Sequence, residues 1–266
     1  MTTPPFTFVP GNGPLLISAP HAGTIVPPEL AARMTDHGRA IADTDWNIDQ
    51  LYRFACAMDA SLLVATHSRY VIDLNRPPDG KALYPGQRNT GLCPVETFDG
   101  APLWQEGAEP SPAEIAERRT AIWQPYHGQI AQTLAAAKAR HGHALLWDAH
   151  SIRGRVPQLF DGRLPDFNIG TNDGATCPAR IANNLARLAS EAGYTAIVNG
   201  RFKGGYITRH YGDPAANIYS VQLELVQETY MQEAAPWTFD DAKAASVSAV
   251  IERLVRHYAA AFAATR

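Results

Sequence analysis

The sequence predicts a single α/β domain over residues 1–266, with a central mixed β-sheet flanked by helices. Short apolar runs typical of strands alternate with helical patterns through most of the chain. The run Ala144–Trp147 is unbroken apolar, which is typical of a strand buried on both faces of such a sheet. Because the sequence shows neither an internal repeat nor a segment that resembles a linker, we expect one sheet rather than two domains.

Local patterns in the first part of the chain predict a hairpin, two helices and two further strands. The hairpin has strands Phe6–Val9 and Leu15–Ala19 joined by a Pro-Gly-Asn-Gly turn. A short helix opens at Pro27-Pro28, and a longer one over residues 46–58 has Asp43 or Thr44 as its N-cap. Residues 61–66 and 70–74 are predicted strands. Residues 79–112 form a loop long enough to be functional, with Tyr84 and Thr90 as possible parts of a pocket wall.

The second part contains three more predicted strands and three helices around the central strand. Ser111 and Glu114 form a capping box that starts a helix toward Lys138, with a kink expected at Pro125. Further along the chain we expect strands at 167–170, 195–198 and 221–226 and helices at 178–192 and 240–264. His127 is interpreted as a packing or surface histidine.

Composition and motifs exclude several classes of function. The net charge is −3, from 23 basic and 26 acidic residues without a run of Lys or Arg, so nucleic-acid binding is not expected. The sequence has no apolar stretch of membrane-spanning length and no secretion signal at residues 1–10, which favours a cytoplasmic protein. We expect a monomer or a small homo-oligomer. Three distant cysteines offer no disulfide framework, and Walker, GxSxG and HExxH motifs are absent from the sequence.

Two histidines follow apolar runs, and each run is a predicted strand. His150 and Asp148 follow the central strand and point to the same side of it, while His21 follows Leu15–Ala19. Open α/β sheets place ligand sites at the carboxyl ends of their strands. Two histidines and a carboxylate form the ligand set of a catalytic zinc. A hydrogen-bonded surface histidine is the alternative for each one alone.

Cations and one acid complete the set of candidates. Asn75-Arg76 ends a predicted strand, and a guanidinium there can grip a carboxylate in two places. Arg69 is a third candidate to bind substrate. Residues 199–212 carry Lys203 and Arg209 among glycines, which indicates a small anionic substrate, or else a solvated basic loop.

Glu224 is an acid inside a strongly apolar strand. A buried carboxylate is costly unless it is paired, bonded or protonated, so this residue is a candidate general base. An edge strand that faces water is the alternative.

Several motifs together resemble one known family. In chain order they are SAPHAGT, DTDWNIDQLY, SRYVIDLNRP, LLWDAHSIRG, LPDFNIGT, NGRFKGGYITRHYG and VQLELVQETYM. Extending from about residue 18 to 231, they resemble the N-formylglutamate amidohydrolase family of histidine degradation. The resemblance implies a fold similar to the zinc carboxypeptidase and aspartoacylase group, with hydrolysis of N-formyl-L-glutamate to formate and L-glutamate.

The resemblance also implies roles for individual residues. His21, Asp45 and His150 resemble the ligands of one divalent ion, most simply Zn²⁺, with Asp43 and then Glu29 as alternatives to Asp45. Asn75 and Arg76 resemble a clamp for a substrate carboxylate, Arg209 a second clamp, and Glu224 a general base.

The sequence departs from the related patterns at two positions. Asn47 stands where the family often has histidine, and Thr24 follows His21 where aspartoacylase-like enzymes have a glutamate ligand. Two other functions stay open at this point. One is hydrolysis of another N-acyl acidic amino acid, and the other is metal-free binding of acidic amino acids.

Overall fold

The computed structural model describes residues 3–81 and 90–263, which form a mixed seven-stranded sheet with helices on both faces. The strands are β1 (Phe6–Val9), β2 (Leu15–Ala19), β3 (Ser61–Ala65), β4 (Ala144–Ile152), β5 (Phe167–Gly170), β6 (Ala196–Val198) and β7 (Ile218–Val226). The predicted fold class is confirmed.

Parallel strands occupy the centre of the sheet. The strand order is β1-β3-β2-β4-β7-β5-β6, and β3, β2, β4 and β7 run parallel to one another. At the two sides, β1 is antiparallel to β3, and β5 is antiparallel to β7 with β6 parallel to β5. The carboxyl ends of β2, β4 and β7 therefore meet at one edge of the sheet.

The predicted hairpin is wrong. β1 pairs with β3, from Phe6 opposite Ala65, so β3 lies between β1 and β2. The glycines of the supposed turn instead allow a close crossing: Gly13 N–H donates to Asp59 O at 2.8 Å. A Cβ on Gly11 would lie 2.3 Å from the same carbonyl oxygen, so the crossing requires glycine there.

Helices cover both faces of the sheet. They are α1 (Pro28–Ala31), α2 (Asp36–Arg39), α3 (Pro112–Arg118), α4 (Gln124–His141), α5 (Ala179–Glu191), α6 (Tyr206–Tyr211) and α7 (Asp241–Ala263), with a kinked 3₁₀ segment at Ile48–Met58. Leu145 and Trp147 pack in the same core as the 3₁₀ segment, α5 and α7, while Leu146 packs in the core with α4. Within residues 3–81 and 90–263, none of the helices combines the length and apolarity that crossing a membrane requires.

The capping box at Ser111 and Glu114 is confirmed, and the helix that it starts is irregular just before Pro125, the position of the predicted kink. A π-helical turn at Arg119–Trp123 lies between α3 and α4 and ends just before this proline. Since proline has no N–H to donate into the preceding turn, the irregular backbone there has a local cause.

Two local predictions before residue 80 are wrong. Residues 70–74 form turns rather than a strand. The 3₁₀ segment begins after Asn47, whose φ is +58°, and no side chain caps it. The carboxylate of Asp43 is used elsewhere: it accepts hydrogen bonds from the Tyr70 hydroxyl at 2.6 Å and the Phe98 N–H at 2.7 Å.

His127 packs in the core, as one of its two interpretations required. Its Nε2 lies 2.9 Å from the Leu74 carbonyl oxygen, and its ring stacks on Trp123 with centroids 3.6 Å apart. Burial lowers the pKa of His127 to about 3.

Because the pKa of His127 is lowered in the folded state, we expect the stability of the protein to depend on pH. Between pH 6.5 and 3 the unfolded state binds the extra proton, so the free energy of unfolding falls as pH decreases through this range. Between pH 6.5 and 5, the free energy of unfolding measured with urea should fall by about 1.5 kcal/mol more for the wild type than for His127→Gln. Glutamine keeps a hydrogen-bond donor at this position but does not titrate. Equal losses in the two proteins would contradict the assignment.

Candidate active site

His21, Asp45 and His150 converge at the carboxyl edge of the sheet. All three are buried, and each offers a possible metal-ligand atom within 4.8 Å of the others. Asp45 Oδ2 lies 3.8 Å from His21 Nδ1 and 3.1 Å from His150 Nδ1. The two imidazole centroids are 4.8 Å apart. The distant segments that carry the predicted ligands therefore meet at one point.

Strand parity and close backbone contacts produce this convergence. Within β4, His150 points to the same side as Leu146 and away from Trp147. His21 follows β2, and its carbonyl accepts the N–H of Asp45 at 3.0 Å, which joins two of the segments directly. A Cβ on Gly23 would lie 2.2 Å from the His67 carbonyl oxygen. Only glycine therefore fits at position 23, where the chain that follows His21 packs against residue 67.

The donor atoms fit a divalent metal ion. Among the described residues, His21 Nδ1 has no hydrogen-bond partner although it is buried. A buried polar nitrogen without a partner is costly, and a metal ion would satisfy it. Bonds of about 2.0–2.2 Å place the donor atoms of a tetrahedral zinc roughly 3.3–3.5 Å apart, which the two distances to Asp45 bracket.

A carboxylate lies beside the other ring nitrogen of each histidine. His21 Nε2 lies 2.7 Å from Asp73 Oδ1, and His150 Nε2 lies 3.2 Å from Asp148 Oδ1. Such partners fix the orientation of a metal-binding imidazole and the nitrogen that it presents. The sequence places Asp148 on the same side of the strand as His150 but gives no indication of Asp73, because residues 70–74 are predicted as a strand.

Arg69 balances the acids around the two histidines. Its Nη2 donates to Asp73 Oδ2 at 2.7 Å, and its Nη1 lies 3.9 Å from Asp45 Oδ1. Burial opposes ionisation of Asp73, but His21, Arg76 and Arg69 together hold its pKa well below the usual value. Burial and Arg69 lower the pKa of His21, which favours its neutral imidazole. Burial also lowers the pKa of His150, but Asp148 and Asp45 outweigh burial and raise it well above the usual value, so a metal ion there would displace a proton.

The two alternatives to Asp45 do not join this group. Asp43 is held by Tyr70 and Phe98, and its Oδ1 lies 3.4 Å from Arg153 Nη2. Glu29 is exposed on α1. Of the three acids considered, Asp45 alone lies with His21 and His150.

Glu224 lies beside the two histidines, on an interior strand. β7 is flanked by β4 and β5, so the edge-strand alternative is wrong, and Glu224 is paired with His150 in the β4–β7 register. The residue is 7% exposed, and its Oε2 accepts from Gln222 Nε2 at 3.2 Å. Burial raises the pKa of the Glu224 carboxyl, which brings it closer to the range of a general base at neutral pH.

A cleft opens over this group. Its lining residues are His21, Arg69, Asn75, Arg76, Thr90, Phe98, His150, Ile152, Leu159, Arg201, Phe202, Gly205, Gln222 and Glu224. Thr90 and Phe98 belong to the long loop predicted as a wall, whereas Tyr84 lies outside the described residues. Polar groups thus converge with the candidate metal ligands at one partly apolar concavity, as in a small-molecule site.

The predicted substrate-binding residues fall into two groups. Arg69, Asn75 and Arg76 line the cleft, but Lys203 and Arg209 are not among its lining residues. Lys203 Nζ donates to Asp173 at 3.0 Å, and Arg209 Nε donates to the Gly204 carbonyl at 2.7 Å.

Of segment 199–212, the residues that do line the cleft are Arg201, Phe202 and Gly205, and Arg201 is the cation among them. The basic, glycine-rich pattern of this segment indicates an anionic ligand but does not distinguish Arg201 from Lys203 and Arg209.

Asn75 links the centre to α6, a helix that the sequence did not predict. Its Oδ1 accepts the Ile207 N–H at 2.8 Å, and its Nδ2 lies 2.9 Å from His150 Nε2. A Cβ on Gly205 would lie 2.2 Å from Asn75 Nδ2, so glycine is required at the start of this helix. The same helix holds Asp148 through the Thr208 hydroxyl, at 2.9 Å.

Comparison with known proteins gives a consistent result. Residues 13–231 match the family model described as N-formylglutamate amidohydrolase. The chain is 53% identical to an N-formylglutamate deformylase of Pseudomonas aeruginosa and 49% identical to one of Pseudomonas putida, with 94% of each chain covered in both comparisons.

Solved structures show the same similarity. A crystal structure of an N-formylglutamate amidohydrolase from Ralstonia eutropha superposes with a TM-score of 0.82 at 27% identity, covering 96% of this chain and 97% of the other. A protein from Agrobacterium tumefaciens shares the fold at 18% identity, with a TM-score of 0.72 and coverage of 97% and 96%.

Proposed function

Because this chain belongs to the N-formylglutamate amidohydrolase family, we propose that it hydrolyses the amide bond of N-formyl-L-glutamate to formate and L-glutamate. The observation that carries the proposal is the placement of Glu224 beside the His21, Asp45 and His150 group in one cleft. By the same resemblance, we propose that the reaction is the last step of a histidine degradation route.

His21, Asp45 and His150 would hold one divalent metal ion, with Zn²⁺ the best match to two imidazoles and a carboxylate. When bound, zinc supplies Lewis-acid polarisation of a carbonyl and lowers the pKa of water to roughly 7. Asp73 and Asp148 would keep the two imidazoles oriented and their Nδ1 atoms directed at the ion.

Glu224 would move the proton that the reaction requires. Its carboxylate takes a proton from the attacking water as the oxygen bonds to the formyl carbon. It then gives that proton to the amine nitrogen as the C–N bond breaks. The products are formate and the free amino acid, and Glu224 returns to its starting state.

Arg76 would bind the substrate carboxylate next to the scissile amide. It lines the cleft and lies at the end of the 70–76 turns, near Asp73 and the histidines. Arg69 shares the wall, and its ion pair with Asp73 makes stabilising that acid its main role.

Two measurements on the purified protein test the proposal: the release of formate from N-formyl-L-glutamate and the content of bound metal. We expect turnover, with about one equivalent of divalent metal per chain. The N-formyl derivatives of leucine and lysine serve as comparison substrates, and we expect them to react far more slowly. Absence of turnover with the metal-loaded protein would refute the proposal.

A further inference from the structure

The guanidinium groups that line the cleft differ in how far the protein itself satisfies them. Arg69 is buried and ion-paired with Asp73. Arg76 uses three of its nitrogens within the protein: Nε and Nη2 donate to the Thr90 carbonyl and hydroxyl at 3.0 and 2.8 Å, and Nη1 donates to the Asn75 carbonyl at 3.0 Å. Both groups are therefore anchored largely by contacts within the protein itself.

Arg201 is different. Its Nε donates to the Leu159 carbonyl at 2.9 Å, and its guanidinium lies over the Phe202 ring, 5.4 Å from the centroid. Across residues 3–81 and 90–263, no carboxylate comes within ion-pair distance of Arg201. The backbone contact and the ring fix the direction of the side chain while its two terminal nitrogens keep their donors for a ligand.

The surroundings of Arg201 indicate what that ligand is. Leu159, Phe202 and Ile152 form an apolar wall of the same cleft. In N-formyl-L-glutamate, two methylene groups separate the α-carbon from the side-chain carboxylate. An apolar wall that leads to a partly buried cation is complementary to this arrangement, because methylenes pack on apolar groups and a guanidinium forks onto a carboxylate.

We propose that Arg201 binds the side-chain carboxylate of the substrate and makes the cleft selective for N-acyl dicarboxylic amino acids. This inference rests on the proposed function and assigns a specificity residue within it. Arg76 then binds the α-carboxylate. The spacing between Arg76 and Arg201, which lie on separate segments of the chain, therefore selects for the distance between the two carboxylates of the substrate. A substrate without the second carboxylate would leave Arg201 unpaired in the cleft, which costs binding in the transition state.

The test compares two nearly isosteric substrates, N-formyl-L-glutamate and N-formyl-L-glutamine, on the wild type and on Arg201→Gln. For Arg201→Gln we expect kcat/KM on the glutamate substrate to fall about 100-fold, as loss of a hydrogen-bonded charge pair implies. On the glutamine substrate we expect a change of less than about threefold. Arg180→Gln, which removes an exposed arginine from α5, should leave both values unchanged.

Selectivity, rather than activity alone, decides the result. An equal loss on both substrates would show that Arg201 only supports the fold, and no loss on either would place the carboxylate elsewhere; each overturns the inference while the proposed function stands. Arg201→Lys, which keeps a charge but loses the fork, should retain part of the preference for glutamate. If the wild type does not hydrolyse N-formyl-L-glutamate at all, the proposed function fails as well.

Discussion

Glu224→Gln is expected to lower kcat on N-formyl-L-glutamate by about 10³-fold while the protein stays folded and keeps its metal. Glutamine has nearly the same shape but cannot accept a proton, so the water and the leaving amine lose their proton carrier. The carboxylate is buried, and burial raises its pKa, so replacing it with a neutral amide should not lower the midpoint of thermal unfolding.

Three measurements on the same sample check this expectation: steady-state kinetics, metal content and thermal unfolding. Glu117→Gln is the matched control, since it makes the same chemical change at an exposed position of α3 and should leave kcat unchanged. Near-normal turnover by Glu224→Gln would mean that another group carries the proton. Loss of metal from this variant would mean that Glu224 supports the ion rather than the proton transfer.

The parts of the site that sequence predicted are those fixed by strand direction and parity. His21 and His150 follow or end apolar runs, and parallel strands bring such ends to one edge of the sheet. Glu224 is recognisable from sequence because burying a carboxylate in a strand of Val and Leu is costly unless the acid has a specific partner or function. The assignment of Asp45 rests on the resemblance to a family, and the local pattern around it predicts an N-cap at Asp43 or Thr44 that the structure does not contain.

The parts that sequence missed depend on contacts between distant segments. Residues 70–74 are apolar enough for a strand, but Asp73 accepts the Asn75 N–H at 2.8 Å and pairs with Arg69 and His21, which holds the chain in turns. In the same way, β1 pairs with β3 although a turn signal stands directly after it. Nothing local to either segment contains the information about these partners.

The sequence also cannot predict which of two neighbouring cations, Arg201 or Lys203, lines the cleft. Both are cations between glycines, and the backbone decides which enters the cleft. Asn199 has φ +52° and Gly204 has φ +114°, so the chain turns sharply on both sides of these residues. Gly170 allows the turn to pack closely, since a Cβ there would lie 2.5 Å from Gly204 N. A sequence pattern indicates a basic, flexible segment but not the direction of each side chain.

Removal of the metal is expected to abolish hydrolysis, by more than about 10³-fold, and addition of Zn²⁺ should restore it. The same treatment should lower the free energy of unfolding, because an ion that binds only the folded state stabilises it by about 4 kcal/mol at 1,000 times its Kd. Activity that survives complete removal of divalent metal would contradict the proposed function. Calorimetry with and without Zn²⁺ gives a second readout that does not depend on catalysis.

Variants of the acids then identify the third ligand. Asp45→Asn should lose both the bound metal and the stabilisation by Zn²⁺, because Asp45 Oδ2 is the oxygen that lies near both imidazoles. Asp43→Asn should keep the metal, since its carboxylate is held by Tyr70 and Phe98 instead. His150→Gln should behave like Asp45→Asn, and His37→Gln on the exposed surface of α2 is its control. Retention of one equivalent of metal by Asp45→Asn, with loss from Asp43→Asn, would reverse the assignment and imply that the turn at residues 41–47 rearranges when the ion binds.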